Sequence, residues 1–144
     1  MIFKTTTDTS SDIYKDSIAI RAEVFIEEQN VDPALEIDEL EAEALHIVGY
    51  MNTTPVCTAR LLQKSPGTVK IQRVAVLSAY REKGIGSELL KYISDIALKQ
   101  LDASSLILDS QDHAIPFYEK EGYSVYGGGF LDAGIPHHSM KKSI

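Results

Sequence analysis

Cysteine is nearly absent: Cys57 is the only one in 144 residues. That excludes an internal disulfide framework and fits a reducing compartment, with the cytoplasm as the default expectation. No apolar run approaches the ~20 residues a membrane helix needs, so no membrane partner is expected. The N-terminal residues Met1-Ile-Phe-Lys-Thr-Thr lack a basic region followed by an apolar core, so no signal peptide is expected either. Basic residues are also short, 14 Lys and Arg against 21 Asp and Glu, for a net charge of −7. Broad nonspecific nucleic-acid binding, which needs a basic face, is therefore not expected. The same charge repels an anionic cofactor at long range, so such a cofactor must be held by local positive features. There is no internal repeat, low-complexity tract or Pro/Gly-rich linker. The chain reads as one domain, 1–144, long enough to bury a core.

What is there is strongly patterned. Ile2 to Thr6 alternates loosely, as a first strand does. Thr9, Ser10, Ser11 and Asp12 offer N-caps for a helix running to about Glu28, with Ile13, Ile20 and Val24 on one stripe. Residues 30–43 read as a loop or broken helix. Five acids fall within eight residues there: Glu36, Asp38, Glu39, Glu41 and Glu43. A solvated surface loop is the favoured reading of that run, ahead of an attractor for a cationic amine.

Three strand-like runs follow, Leu45–Met51, Val56–Gln63 and Val69–Val76, with turn chemistry between them. They suggest an antiparallel meander whose last member is covered on both faces. Ile85, Leu89, Ile93 and Ala97 lie at i, i+4, i+8 and i+12 of a helix from about Gly84 to Leu101. Leu106–Leu108 is a short buried strand. Ala114 to Glu121 is a short helix with Gly122 as C-cap. Tyr123–Tyr126, a triple glycine and a strand near Met140 close the chain. The expected fold class is α/β (α+β), with a mixed, mostly antiparallel central sheet and helices on both faces.

The segment most telling of function is Arg81-Glu-Lys-Gly84-Ile-Gly86-Ser87, a basic and glycine-rich turn opening a helix. Unpaired N–H groups and the positive end of the helix dipole make such a turn a seat for phosphate. Gly84 and Gly86 allow close backbone approach. A plain loop-to-helix junction explains Gly-x-Gly equally well. Two rival phosphate motifs fail. The Gly-Lys-Ser/Thr of Walker A is missing. The dinucleotide fingerprint lacks its third glycine, since position 89 is Leu, and seven residues separate Val76 from Gly84.

Arg73-Val-Ala-Val76, Arg81-x-x-Gly84-x-Gly86 and Ala114-x-x-Phe117-Tyr118-x-x-x-Gly122-Tyr123 occur in that order and spacing. Together they resemble the GNAT superfamily of acyl-CoA-dependent N-acyltransferases, over about residues 45 to 126. Arg21-x-x-Val-Phe25-x-x-Glu-Gln29, Asp38, His46 and Gly134-Ile-Pro-His137-x-x-Met140 resemble the small bacterial ElaA-like subgroup. The resemblance implies acetyl-CoA as co-substrate and an amine-bearing acceptor attacked directly. It implies a pyrophosphate held by backbone from Glu82 to Ser87, including Lys83 and Ile85, with Arg81 adding charge. It implies a pantetheine arm paired with Val74, Ala75 and Val76, a backbone N–H there for the thioester oxygen, and Phe117 and Gln111 beside the cofactor. The wider family commonly has Asn at the position of Gln111, and Gln makes the same amide bonds at longer reach. Tyr118 matches the family tyrosine near the sulfur, with the role of general acid. A packing role for its ring is the bland alternative.

The general base stays open among Glu28, His46, His137, His138 and a water chain. Adjacent histidines on an extended segment point to opposite sides, so no metal site is assigned to His137 and His138. Cys57 reads as a small buried apolar residue. Three functions remain in view: an acetyl-CoA-dependent N-acetyltransferase, a CoA-binding sensor or interaction module of the same fold without turnover, and an acyltransferase taking a longer acyl group. Dimers are common among proteins this one resembles, and a homodimer stays open.

Overall fold

A computed structural model describes residues 1–144. β1 (Ile2–Thr6) leads into α1 (Asp12–Arg21), whose cap is Ser11: its side chain accepts from the Tyr14 N–H. The expected helix does reach Glu28, but Ala22–Glu28 is wound as a π-helix. A single turn, α2 (Pro33–Glu36), follows. The meander is β2 (Leu45–Met51), β3 (Thr54–Ser65) and β4 (Thr68–Val76). Then come α3 (Ile85–Leu101), β5 (Ser105–Gln111), α4 (Ile115–Lys120), β6 (Ser124–Asp132) and β7 (Ile135–Ser143). No helix is long and apolar enough to cross a membrane.

The seven strands form one sheet in the order β1-β2-β3-β4-β5-β7-β6. Only β4 and β5 pair in parallel; the other neighbours are antiparallel. Ile85, Leu89, Ile93 and Ala97 are all buried on one stripe of α3, as their spacing requires. They join Ile47, Ala59, Leu61, Val69, Ile71, Leu106, Leu108 and Met140 in the main core. The other sheet face packs Val48 and Ala75 under Ile20 and Val24 of the first helix. Helices therefore cover both faces.

Two irregularities depart from the sequence reading, and both shape the site. In β4, Arg73 has φ +55° and the pairing with β3 slips by one residue. Side chains alternate along a strand, so one extra residue exchanges the faces. Val69 and Ile71 point at α3 before the bulge; Val74 and Val76 do so after it, while Ala75 turns to the first helix. β4 is thus not sealed on both faces: Val74 and Val76 are only half-buried. The triple glycine Gly127–Gly129 is not a break. It lies inside β6, where the register against β7 shifts between Tyr126 and Phe130.

Candidate active site

β4 and β5 stay together only from Thr68↔Ser105 to Ile71↔Leu108. Beyond that point the end of β4 pairs only with β3, and Asp109–Gln111 pair only with β7. The two strands diverge, and a cleft of about 1200 Å³ opens between them. Val74, Ala75, Val76, Arg81, Glu82, Gly84, Ile85, Gly86, Ser87, Gln111, Phe117 and Tyr118 all line it. Lys83 does not: its ammonium lies 5.7 Å from the centre of the Tyr80 ring instead.

The start of α3 forms one end of the cleft. Gly84 is its N-cap, left-handed at φ +78°, with no side chain capping the helix. The first bond of the helix runs from the Glu88 N–H to the Gly84 carbonyl. The N–H groups of Ile85, Gly86 and Ser87 precede it and have no partner within the helix. Gly84 needs to be glycine for its φ, since a Cβ there would meet nothing within 4 Å. Gly86 has a different reason. A Cβ on it would sit 2.9 Å from Cζ of Phe117, so its bareness lets α4 close onto α3.

The side chains of this loop are committed to the protein. Arg81 donates from Nε to the Val76 carbonyl at 2.9 Å and from both terminal nitrogens to Glu28 at 2.6 and 2.8 Å. Its charge is therefore matched locally, contrary to the expectation of a free cation. The hydrogen bonds from Arg81 also hold the Glu28 carboxyl below its ordinary pKa, which makes it a poor base. Ser87 donates to Glu121. Gln111 donates to Gln29 at 2.8 Å and is bonded to His113 at 2.6 Å, tying the end of β5 to the end of the first helix.

Tyr118 is buried between Phe117 and Tyr123, both edge-on to it at 5.1 and 5.9 Å. Burial pushes its phenol well above the ordinary value, so the hydroxyl keeps its proton across neutral pH. Cys57 is fully buried, and burial pushes its thiol up to about 11, which leaves it inert.

On the opposite wall the reading of residues 36–43 as a solvated loop holds for Glu39 and Glu43, which are exposed, and fails for Glu36, Asp38 and Glu41. Glu36 and Glu41 are 2% and 7% exposed. Arg21 donates to Glu36 at 2.8 Å and to Glu41 at 2.8 and 2.9 Å. Arg60 grips Asp38 with two bonds, at 2.9 and 2.8 Å, and reaches Glu41 at 2.8 Å. Arg73, on the bulge, lies 3.2 Å from Glu36 and 3.3 Å from Asp38. Three guanidinium groups face three carboxylates, so the cluster is balanced, which a buried charge requires. The hydrogen bonds from Arg60 draw the Asp38 carboxyl down to about 2. Glu36 and Arg73 expose this cluster to the cleft. The signal was present in the sequence: Arg60 stands inside Ala59–Leu62, and Arg21 follows Ile18-Ala-Ile20. Lone arginines in apolar runs imply buried partners. His46, a candidate base, is spent near this cluster. It is 1% exposed and bonded to the Glu41 carbonyl at 2.8 Å, and burial lowers its pKa.

Residues 9–144 match the family model of the acetyltransferase (GNAT) domain. The Bacillus subtilis protein YjcF, described as an uncharacterized N-acetyltransferase, is 45% identical over 129 residues, covering 89% of this chain and 91% of that protein. The crystal structure of Escherichia coli ElaA superposes with a TM-score of 0.83 at 26% identity, over 98% of each chain. A GNAT family acetyltransferase from Elizabethkingia anophelis, solved with acetyl-CoA bound, has a TM-score of 0.74 over 99% of this chain and 97% of that one. Its 16% identity bears on the fold alone.

Proposed function

The chain belongs to the GNAT family of acetyltransferases, and from that premise we propose that this acyltransferase moves the acetyl group of acetyl-CoA onto a primary amine by direct attack. The observation that carries the reading is the parting of β4 from β5 directly beside the unpaired N–H groups at the start of α3. A long anionic thioester needs both features: backbone donors for its pyrophosphate, and an unpaired strand end for its amide-bearing arm. The backbone from Glu82 to Ser87 holds the pyrophosphate. Gly84 supplies the turn, and Gly86 lets Phe117 of α4 close the floor.

Val74, Ala75 and Val76 present the strand edge to the pantetheine arm. A backbone N–H among them holds the thioester oxygen, where charge develops during acyl transfer. Tyr118 stands on the α4 side and protonates the departing sulfur. Its raised pKa keeps the proton available at neutral pH, at the cost of a weaker acid. Arg81 acts by shaping the loop through Glu28 and the Val76 carbonyl rather than as a free cation.

A ligand that binds only the native state raises its melting temperature. Millimolar acetyl-CoA is expected to raise Tm, and incubation with a panel of primary amines is expected to release free thiol. No Tm shift would sink the cofactor assignment. A Tm shift without thiol release from any amine would leave a CoA-binding module in place of the acetyltransferase.

A further inference from the structure

When a neutral amine attacks a thioester, its nitrogen must shed one proton as the amide forms, and so needs a group to take it. Within the proposed reaction, we infer that this group is Nε2 of His137. Ser110 and Leu108 of β5 point to the α3 and α4 side of the sheet, so Gln111 points to the opposite side, where it meets Gln29. His137 is paired with Gln111 across β5 and β7, so its ring lies on that same face. Phe130 is paired with His137 on the other flank and stacks on it, with centroids 5.8 Å apart and planes 22° from parallel. The ring is therefore held in a row between an amide and a phenyl group, 8% exposed, at the wall of the cleft.

Its tautomer follows from one bond. Nδ1 lies 2.6 Å from the Ile135 carbonyl. A carbonyl only accepts, so in the neutral ring Nδ1 carries the hydrogen and Nε2 the lone pair. Tyr118 packs in the core on the far face, with Leu108 and Met140. Acid and base thus stand on opposite faces of the parted strands, which suits transfer across a gap. The rival bases are engaged or off the cleft. Glu28 is held by Arg81, His46 is buried away from the cleft, and His138, paired with Ser110, does not line the cleft.

The step balances without a further reactant. The amine nitrogen bonds to the carbonyl carbon and gives one N–H proton to Nε2. The C–S bond breaks with its electron pair on sulfur, which takes the Tyr118 hydroxyl proton. The products are the amide and the free thiol, and solvent returns the proton from imidazolium to phenolate.

The test uses the full chain with acetyl-CoA and an amine that turns over. His137→Asn keeps an N–H able to reach the Ile135 carbonyl but has no base. It should fold, retain the Tm shift with CoA, and lose kcat by about 10²- to 10³-fold. His137→Ala should lose as much and regain part of it with added imidazole. If His137→Asn turns over within about threefold of wild type, the assignment is overturned. So it is if a folded, CoA-binding His137→Ala variant gains nothing from imidazole. A wild-type protein with no turnover would instead overturn the acetyltransferase reading, and the base with it.

Discussion

The two walls of the cleft are built on opposite principles. On the α3 side, residues 81–87 present backbone: a left-handed glycine, a bare Gly86 and three N–H groups at a helix start. On the other side, residues 36–41 are held by side chains, with three carboxylates locked onto three arginines from α1, β3 and β4. A backbone wall tolerates side-chain change wherever the chain still adopts its φ and the added atoms clear their neighbours, as they do not at Gly86. A wall of buried charge does not, because each partner lost leaves another uncompensated. The contrast separates a surface whose backbone donors stay open from one closed on its own buried charges.

The largest expected effect breaks the charged wall. Arg21→Met leaves Glu36 to Arg73 alone and Glu41 to Arg60 alone, with one buried negative charge uncompensated, and stability should fall by about 3–5 kcal/mol. Urea denaturation measures it, and a loss below ~1 kcal/mol would show that water reaches the cluster. Next comes the chemistry beside the backbone wall. Tyr118→Phe removes one hydroxyl and keeps the ring, so kcat should drop roughly 10- to 10³-fold while CoA affinity barely moves. Unchanged kcat, with chemistry limiting, would remove Tyr118 from the mechanism.

Gly86→Val tests the backbone wall itself. Its branched side chain meets the Phe117 ring, an overpacking expected to cost about 1–3 kcal/mol. Folding and CoA binding should therefore fall together, by thermal melts with and without CoA. A variant that melts normally and has lost only CoA would show that the ring yields and the phosphate seat alone was blocked.

The smallest effect is a pH dependence. Hydrogen bonds from Arg60 lower Asp38 to about 2, so its contribution is fully present above the ordinary carboxylate pKa of ~4. That contribution is lost as pH falls toward 2. Asp38→Asn should be less stable than wild type at neutral pH, and the gap between the two Tm curves should narrow between about pH 4 and pH 2. A constant gap would show that the Arg60 pair adds nothing pH-dependent.

These contrasts also explain what could be read in advance. The α3 stripe, the Gly84 turn and the three strands of the meander rest on contacts within a few residues, and local patterning reveals such contacts; β6, which runs through the triple glycine to Asp132, was not legible that way. The acidic run misled because composition counts charges without their partners. Glu36 finds Arg21 from 15 residues away and Arg73 from 37. Arg73 lay unmarked inside the expected strand Val69–Val76, yet its positive φ reverses every side chain after it.

By itself, then, the sequence determined the elements, their order and the family, because periodicity, capping and motif spacing are local properties of the chain. Tertiary structure alone decided the bulge at Arg73, the burial of Glu36 and Glu41, the contact between Gly86 and Phe117, and the placing of Tyr118 and His137 on opposite faces. Each depends on residues distant in sequence meeting across the sheet, where one slipped register or one unmatched charge changes the outcome.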